Sequence, residues 1–149
     1  MLVITSKIVA ITEGRTRPLK TKEERIALIK EESDIAIETP WTWLTVKDGQ
    51  VYASAGIDES NIGEGVCVLL PENSYASAES IRNILCAHYG VTDLGIIICD
   101  SRVAPLRQGT VGVALGYAGF EGIRDYRGTA DIYGRPFKVS RTNVADSLT

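Results

Sequence analysis

Two carboxylates, a hydroxyl and an amide occupy four consecutive positions of this sequence, Asp58-Glu59-Ser60-Asn61, with glycines at positions 56, 63 and 65 around them. The glycines permit backbone conformations that other residues resist, so the segment can turn tightly. Carboxylate, hydroxyl and amide oxygens are suitable ligands for a hard cation. The alternative is an ordinary surface turn, because Asp, Asn, Ser and Gly also dominate turns through local hydrogen bonding.

A second carboxylate with a neighbouring hydroxyl, Asp100-Ser101, follows the apolar run from Leu94 to Cys99. The run predicts a buried strand that ends at Asp100, and the end of such a strand is a common position for groups that handle metal or phosphate. The alternative for Asp100 is a helix cap or a turn. Positive and amide side chains that could attract an anionic substrate follow the acid: Arg102, Arg107 and Gln108.

A third group of polar side chains, Thr5, Ser6 and Lys7, follows the β-prone run that begins at Leu2. Two hydroxyls and an ammonium at the end of a strand can grip phosphate. The alternative is a solvated lysine. The glycines from Gly109 to Gly122 match neither G-x-G-x-x-G nor G-x-x-x-x-G-K-[ST], which excludes these two nucleotide loops and favours close packing of backbone against backbone.

The elements that must position these groups are short strands and two helices. We predict strands at 2–5, 35–37, 41–46, 51–55, 66–70, 94–99 and 137–139. The first of these strands is predicted to be central in its sheet. One helix is predicted from the capping box of Thr21 and Glu24 to about Ser33, and Asp48-Gly49 predicts a tight hairpin. A second helix is predicted from Ser74 or Ser77 to Gly90, and a third helix start at 142–146.

Composition limits the class of protein. The 149 residues suffice for one domain, and 44% hydrophobic with 23% charged residues is ordinary for a soluble globular protein. A net charge of -3 argues against nucleic acid as a partner. The apolar runs are far shorter than the ~20 residues of a membrane span, and the three scattered cysteines suit reduced thiols. We therefore expect a cytoplasmic protein that binds neither nucleic acid nor membrane.

Five segments in order resemble the coenzyme F420-0:L-glutamate ligase family, the GTP-dependent γ-glutamyl ligases. Together they cover nearly the whole chain. They are 5–9 with Glu13-Gly14-Arg15, then 55–61, then Asp100-Ser101 with Pro105, Arg107, Gln108 and Gly109, then 112–119, and last 125–135.

The resemblance implies an α+β fold of mixed and antiparallel β-sheets with packed helices, as a single ligase-like domain over 1–149. It implies that Asp58, Asp100 and Ser101 bind Mg²⁺ or Mn²⁺, with the two aspartates as the catalytic carboxylates. It also implies that Ser6, Lys7 and Asn61 contact GTP, the co-substrate. We expect Asp58 and Asp100 to converge on divalent metal.

The implied reaction adds L-glutamate to a carboxylate acceptor, coenzyme F420-0 or a related folate-like molecule, through an acyl phosphate. The resemblance also implies a homodimer. Ile11 stands where the family usually has a second lysine, and Ala104 belongs to an altered arginine loop. The family's N- and C-terminal segments are expected to be shortened or absent here. The alternative function is a non-catalytic nucleotide- or small-molecule-binding domain that retains the ligase fold.

Overall fold

A computed structural model describes residues 1–104 and 106–149, so Pro105, which belongs to the resemblance, lies outside the described residues. In chain order the elements are β1 (Leu2–Thr5), α1 (Ser6–Thr12), β2 (Thr16–Pro18), α2 (Lys22–Glu31), β3 (Ile35–Glu38), β4 (Trp43–Lys47), β5 (Gln50–Ala53), β6 (Val66–Val68), α3 (Ser74–Tyr89), β7 (Ile96–Val103), β8 (Thr110–Ala118), β9 (Ile123–Asp125) and β10 (Arg141–Asn143). This α+β content, with mostly antiparallel sheets and one mixed sheet, confirms the predicted fold class.

Two compact units make up the chain. The first consists of Met1–Thr5 with Asn73–Thr149, and the second of Ser6–Glu72. The prediction of one ligase-like domain over 1–149 stays a prediction. No helix among residues 1–104 and 106–149 has both the length and the apolar character that crossing a bilayer demands.

The first unit is built on a three-stranded sheet in the order β1-β7-β8, with β1 parallel and β8 antiparallel to β7. The prediction that the first strand is central is therefore wrong, because β7 takes that position. Ile96, Ile97 and Ile98 of β7 are fully buried, as the apolar run predicts. The strand does not end at Asp100, because β8 continues to pair with it as far as Val103 after a register shift at Ile98 and Cys99.

Helix α3 packs against β7 and β8. Its N-cap is Asn73, whose side chain accepts a hydrogen bond from the Ala76 amide, so the predicted caps Ser74 and Ser77 are wrong, by one and four positions. Gly90 ends the helix in the left-handed conformation, φ 66°, as predicted. A Cβ at Gly116 of β8 would lie 2.4 Å from the backbone of Ser74, so the close backbone packing predicted for the glycines from Gly109 to Gly122 is confirmed at Gly116. A Cβ at Gly109 would meet nothing within 4 Å, so the prediction does not hold there.

The last part of the first unit differs from the prediction. Thr142 pairs with Arg124 in the β9-β10 ladder, so the helix start predicted at 142–146 is a strand followed by a short 3-10 turn from Asp146. The strand predicted at 137–139 does not form. The intervening segment is instead organised by a local carboxylate, because Asp131 accepts hydrogen bonds from the backbone amides of Tyr133 and Arg135.

The second unit contains the antiparallel meander β3-β4-β5 and the pair β2-β6. Asp48 and Gly49 both have positive φ, 51° and 72°, as the predicted tight hairpin requires. The Thr21 and Glu24 capping box also forms as predicted and begins α2. The core of this unit holds seven buried side chains: Leu19, Leu28, Ile29, Ala55, Ile57, Cys67 and Leu69. The partly buried side chains of Ala36 and Trp43 pack against this core.

Candidate functional site

The polar turn that contains Asp58 is held rigidly at its base. The Asp58 amide donates to the Val68 carbonyl at 2.9 Å, and the Val68 amide donates back at 2.8 Å. Val68 is only 1% exposed, so this pair of hydrogen bonds attaches the turn to the core. Asn61 and Gly65 adopt positive φ of 54° and 73° and reverse the chain between the bridge partners. The backbone therefore fixes where the oxygens of the turn lie.

Lys7 reaches this turn from the first turn of α1. Its Nζ lies 2.7 Å from Asp58 Oδ2, and it donates hydrogen bonds to the carbonyl and hydroxyl oxygens of Ser60 at 2.6 and 3.0 Å. Asp58 Oδ1 meanwhile accepts from the Ser60 amide at 2.7 Å. The site thus combines one cation with three oxygens. We call these three oxygens the Lys7 cradle: Asp58 Oδ2, Ser60 O and Ser60 Oγ.

Lys7 and Ser60 favour the ionised form of Asp58. Partial burial raises the pKa of this carboxyl, but hydrogen bonds from Lys7 and Ser60 outweigh burial and leave the pKa below its ordinary value. Asp58 is therefore a carboxylate at neutral pH. In this state it can accept hydrogen bonds or ligate a hard cation.

The second carboxylate of the turn faces another partner. Glu59 Oε1 accepts from Arg25 Nε of α2 at 2.7 Å. The two acids of the turn are therefore divided between Lys7 and Arg25. The sequence placed Asp58 and Glu59 next to each other, but the turn assigns only Asp58 to the cradle.

Ser6 and Asn61, the other predicted nucleotide contacts, differ in exposure. The strand β1 ends at Thr5, as predicted, and Ser6 and Lys7 follow it as the first residues of α1. Ser6 is 4% exposed, whereas Asn61 is exposed on the turn. A nucleotide therefore has easier access to the Asn61 side chain than to that of Ser6.

Asp100 and Ser101 lie within β7 of the first unit. Asp100 is half-buried, pairs in register with Val113, and accepts a hydrogen bond from the Ser101 amide at 2.9 Å. The preceding thiol is poorly suited to act as a nucleophile, because burial and then the Asp100 charge raise the pKa of Cys99. The convergence of Asp58 and Asp100 on one metal stays a prediction, since the two residues belong to different units.

The donor chemistry of the Lys7 cradle fits a hard cation. Its three atoms are a carboxylate, a carbonyl and a hydroxyl oxygen, and they converge on a point that already holds positive charge. Within residues 1–104 and 106–149 no group of three or more His, Cys, Asp or Glu side chains is arranged to hold a metal ion. Ser60 therefore offers two oxygens beside the Asp58 carboxylate to a metal bound there.

Sequence reasoning marked the Ser60 hydroxyl as an oxygen that suits a hard cation, whereas the Ser60 carbonyl is added to the site by the structure. An Asp two residues before a Ser favours a side-chain to backbone hydrogen bond that fixes a compact turn. No local pattern in the sequence indicates the contact between Lys7 and Ser60, which are 53 positions apart.

Comparison with known proteins identifies relatives along the whole chain. A family model described as F420-0:Gamma-glutamyl ligase matches residues 1–149. Proteins named Coenzyme F420:L-glutamate ligase from Methanopyrus kandleri and Archaeoglobus fulgidus are 38% and 32% identical over 83% and 99% of this chain. A protein of the same name from Methanothermobacter thermautotrophicus is 44% identical over 68% of it. The matches span 48, 66 and 40% of these relatives, respectively.

Proposed function

The chain belongs to the F420-0:gamma-glutamyl ligase family, and from this membership we propose that it adds L-glutamate to a carboxylate acceptor at the expense of GTP. The acceptor is coenzyme F420-0 or a related folate-like molecule. The name of the relatives favours the coenzyme. The observation that carries the proposal is the family match over the full chain. The contact of Lys7 with Asp58 supports it, because it joins two of the family-like segments in one site.

The proposed reaction has two steps. An oxygen of the acceptor carboxylate attacks the γ-phosphorus of GTP, GDP leaves with the electrons of the broken P–O bond, and an acyl phosphate forms. The glutamate amine then attacks the acyl carbon, inorganic phosphate leaves, and the amine loses a proton to give the amide. A bound Mg²⁺ or Mn²⁺ supplies positive charge that offsets the phosphate oxygens in such transfers.

The residues of this chain contribute binding and charge in the proposal. Asp58 and Asp100, each half-buried in its own unit, are the proposed metal carboxylates, with Ser101 beside Asp100. Lys7 contributes positive charge for phosphate, and Ser6 and Asn61 contribute polar contacts to the nucleotide. A donor set made of oxygens agrees with Mg²⁺ or Mn²⁺ as the cofactor.

Turnover by the purified chain tests the proposal. With GTP, Mn²⁺, L-glutamate and coenzyme F420-0 we expect an acceptor that gains one glutamyl residue by mass spectrometry, with GDP release that depends on both substrates. Asp58→Asn should lower the rate by about 100-fold, because it removes the charge that holds the cation. Asp48→Asn is the matched control, since Asp48 is exposed in the hairpin turn and Asn tolerates its positive φ. Binding of GTP without glutamate transfer to F420-0 or a folate would contradict the ligase proposal and favour a binding domain.

We also propose a homodimer, supported by an exposed apolar face on the β3-β4-β5 sheet. Residues that pair across these strands point to the same side of the sheet, which places four apolar side chains on one face. Ile35, Ile37 and Val51 are each 54% exposed, and Leu44 is 45% exposed. An exposed sheet face of this kind is a common interface between copies.

The mass of the particle in solution tests the dimer. Light scattering at micromolar concentration should give twice the chain mass for the wild type and for Ile84→Lys, which changes an exposed isoleucine of α3. Ile37→Lys should give the monomer mass, because a charge buried in an apolar interface costs several kcal/mol. A monomeric wild type would refute the dimer.

A further inference from the structure

The three N–H groups of the Lys7 ammonium are matched by the three oxygens of the cradle. Nζ lies 2.6, 2.7 and 3.0 Å from Ser60 O, Asp58 Oδ2 and Ser60 Oγ. An ammonium has three donors and no acceptor, so these contacts use its full hydrogen-bonding capacity. In this arrangement Lys7 acts as a cation held inside the polar turn. The same ammonium cannot simultaneously donate these hydrogen bonds to a phosphate.

The oxygens and the ammonium differ in mobility. The oxygens belong to a turn that two hydrogen bonds attach to Val68, and the Ser60 amide fixes the other oxygen of Asp58. The ammonium sits at the end of four methylene groups, and the side chain is 20% exposed. The cradle is therefore a preformed set of oxygen ligands, and the lysine is the part that can move away by changing rotamers.

A divalent cation and the ammonium cannot share these oxygens. Mg²⁺ and Mn²⁺ bond to oxygen at roughly 2.0 to 2.2 Å, so the ion would sit inside the space that Nζ occupies. Like charges at such a separation also repel strongly. A divalent cation bound to all three cradle oxygens therefore requires Lys7 to leave.

We propose that Ser60 and Asp58 form a cation site that Lys7 and a divalent metal ion occupy in turn. The proposal rests on the proposed function and adds to it a further binding residue, Ser60, and a mechanism of control. Metal binding releases the Lys7 ammonium, which is then available to the phosphates of the nucleotide. In the metal-free protein, the lysine occupies the three oxygens and so lowers the apparent affinity of the site for metal.

Titration with Mn²⁺ tests the exchange, with free Mn²⁺ measured by electron paramagnetic resonance. The site of interest is defined as the one that Asp58→Asn removes. Lys7→Met should bind Mn²⁺ at this site at least about tenfold more tightly than the wild type, because it removes a charge-assisted competitor and keeps an unbranched side chain. Lys22→Met is the matched control, since Lys22 is an exposed lysine at the start of another helix and should leave the affinity unchanged.

The outcomes separate this inference from the proposed function. If Asp58→Asn removes a site that the wild type and Lys7→Met bind equally well, the exchange is refuted and Asp58 remains a metal carboxylate. If no Mn²⁺ site depends on Asp58, both the exchange and the metal role of Asp58 are refuted.

A second measurement uses the wild-type protein. With ¹⁵N-labelled lysine, a hydrogen-bonded ammonium gives an Nζ signal that exchanges slowly with water, whereas a solvated one exchanges fast. We expect the Lys7 signal, assigned by its loss in Lys7→Met, to be present without metal and to disappear as Mg²⁺ saturates the site. A Lys7 signal that saturating Mg²⁺ leaves unchanged would refute the exchange, whatever the variants do.

Discussion

Gly119→Ala is expected to lower the free energy of unfolding by about 3 kcal/mol, from two additive causes. Gly119 has φ 83°, a conformation that costs an L-residue roughly 1–2 kcal/mol. A Cβ there would also lie 2.2 Å from the Leu94 carbonyl oxygen and 2.4 Å from Arg82 Nε. These two atoms are joined by a 2.8 Å hydrogen bond that ties α3 to the segment before β7, and crowding in such a place typically costs about 1–3 kcal/mol.

Gly128→Ala provides the control for this experiment. Gly128 has nearly the same φ, 85°, but no heavy atom lies within 4 Å of the position of its Cβ. The control should therefore lose only the free energy of unfolding that the positive φ costs an L-residue, roughly 1–2 kcal/mol. Urea denaturation followed by far-ultraviolet circular dichroism measures both variants. Equal losses at the two positions would mean that the contact at Leu94 and Arg82 is not tightly packed.

Glu32→Gln is expected to destabilise the second unit by roughly 2–3 kcal/mol. Glu32 follows α2 and accepts hydrogen bonds from Arg15 Nη2, at 3.1 and 2.8 Å, and from Lys47. The three side chains are only 10 to 19% exposed. A neutral amide in place of the carboxylate leaves two largely buried cations without their counter-charge. Tryptophan fluorescence during urea unfolding reports on this unit, because Trp41 and Trp43 both belong to it.

The pH dependence of the same variant has a defined sign. Burial raises the pKa of Glu32, but Lys47 and Arg15 outweigh it, and the folded pKa lies below the ordinary value of 4.5. A depressed pKa stabilises the folded state above the unfolded value, and this contribution is lost as pH falls through the folded pKa. The stability difference between wild type and Glu32→Gln should therefore be full at pH 7 and shrink below about pH 4.5.

Glu31→Gln is the matched control for Glu32→Gln, because it changes the preceding, exposed glutamate in the same way. It should change the stability little, as expected for a surface position. If Glu31→Gln and Glu32→Gln lose the same stability, or if the difference at Glu32 persists unchanged at pH 3, the charge cluster does not stabilise the unit.

The sequence alone was enough to nominate the chemical groups of the site. Lys7 and Asp58 were each marked by residue type and local pattern, and they lie together in the structure at 2.7 Å. Their direct contact could not be predicted, because 51 positions separate them and no local signal encodes a long-range register. The predicted phosphate role of Lys7 and the predicted cation role of Asp58 assumed separate partners, whereas the two side chains satisfy each other in this structure.

Local physics explains which parts of the fold the sequence determined. The capping box at Thr21, the hairpin at Asp48-Gly49 and the helix end at Gly90 all depend on hydrogen bonds or φ values within a few residues. These features do not depend on the rest of the chain, so the sequence predicts them directly. The burial of Ile96 to Ile98 requires other elements to pack against β7, but the apolar run is enough to indicate it.

Tertiary pairing decided the remainder. Residues 100 to 103 stay in β7 because β8 lies beside them, and residues 141 to 143 form a strand because β9 pairs with them. Polar segments of this kind have little intrinsic preference for strand or helix, so the partner strand sets their conformation. The edge position of β1 and the division of Asp58 and Glu59 between Lys7 and Arg25 have the same origin. In each case the deciding partner belongs to another segment, seven or more residues away, and folding alone brings it into contact.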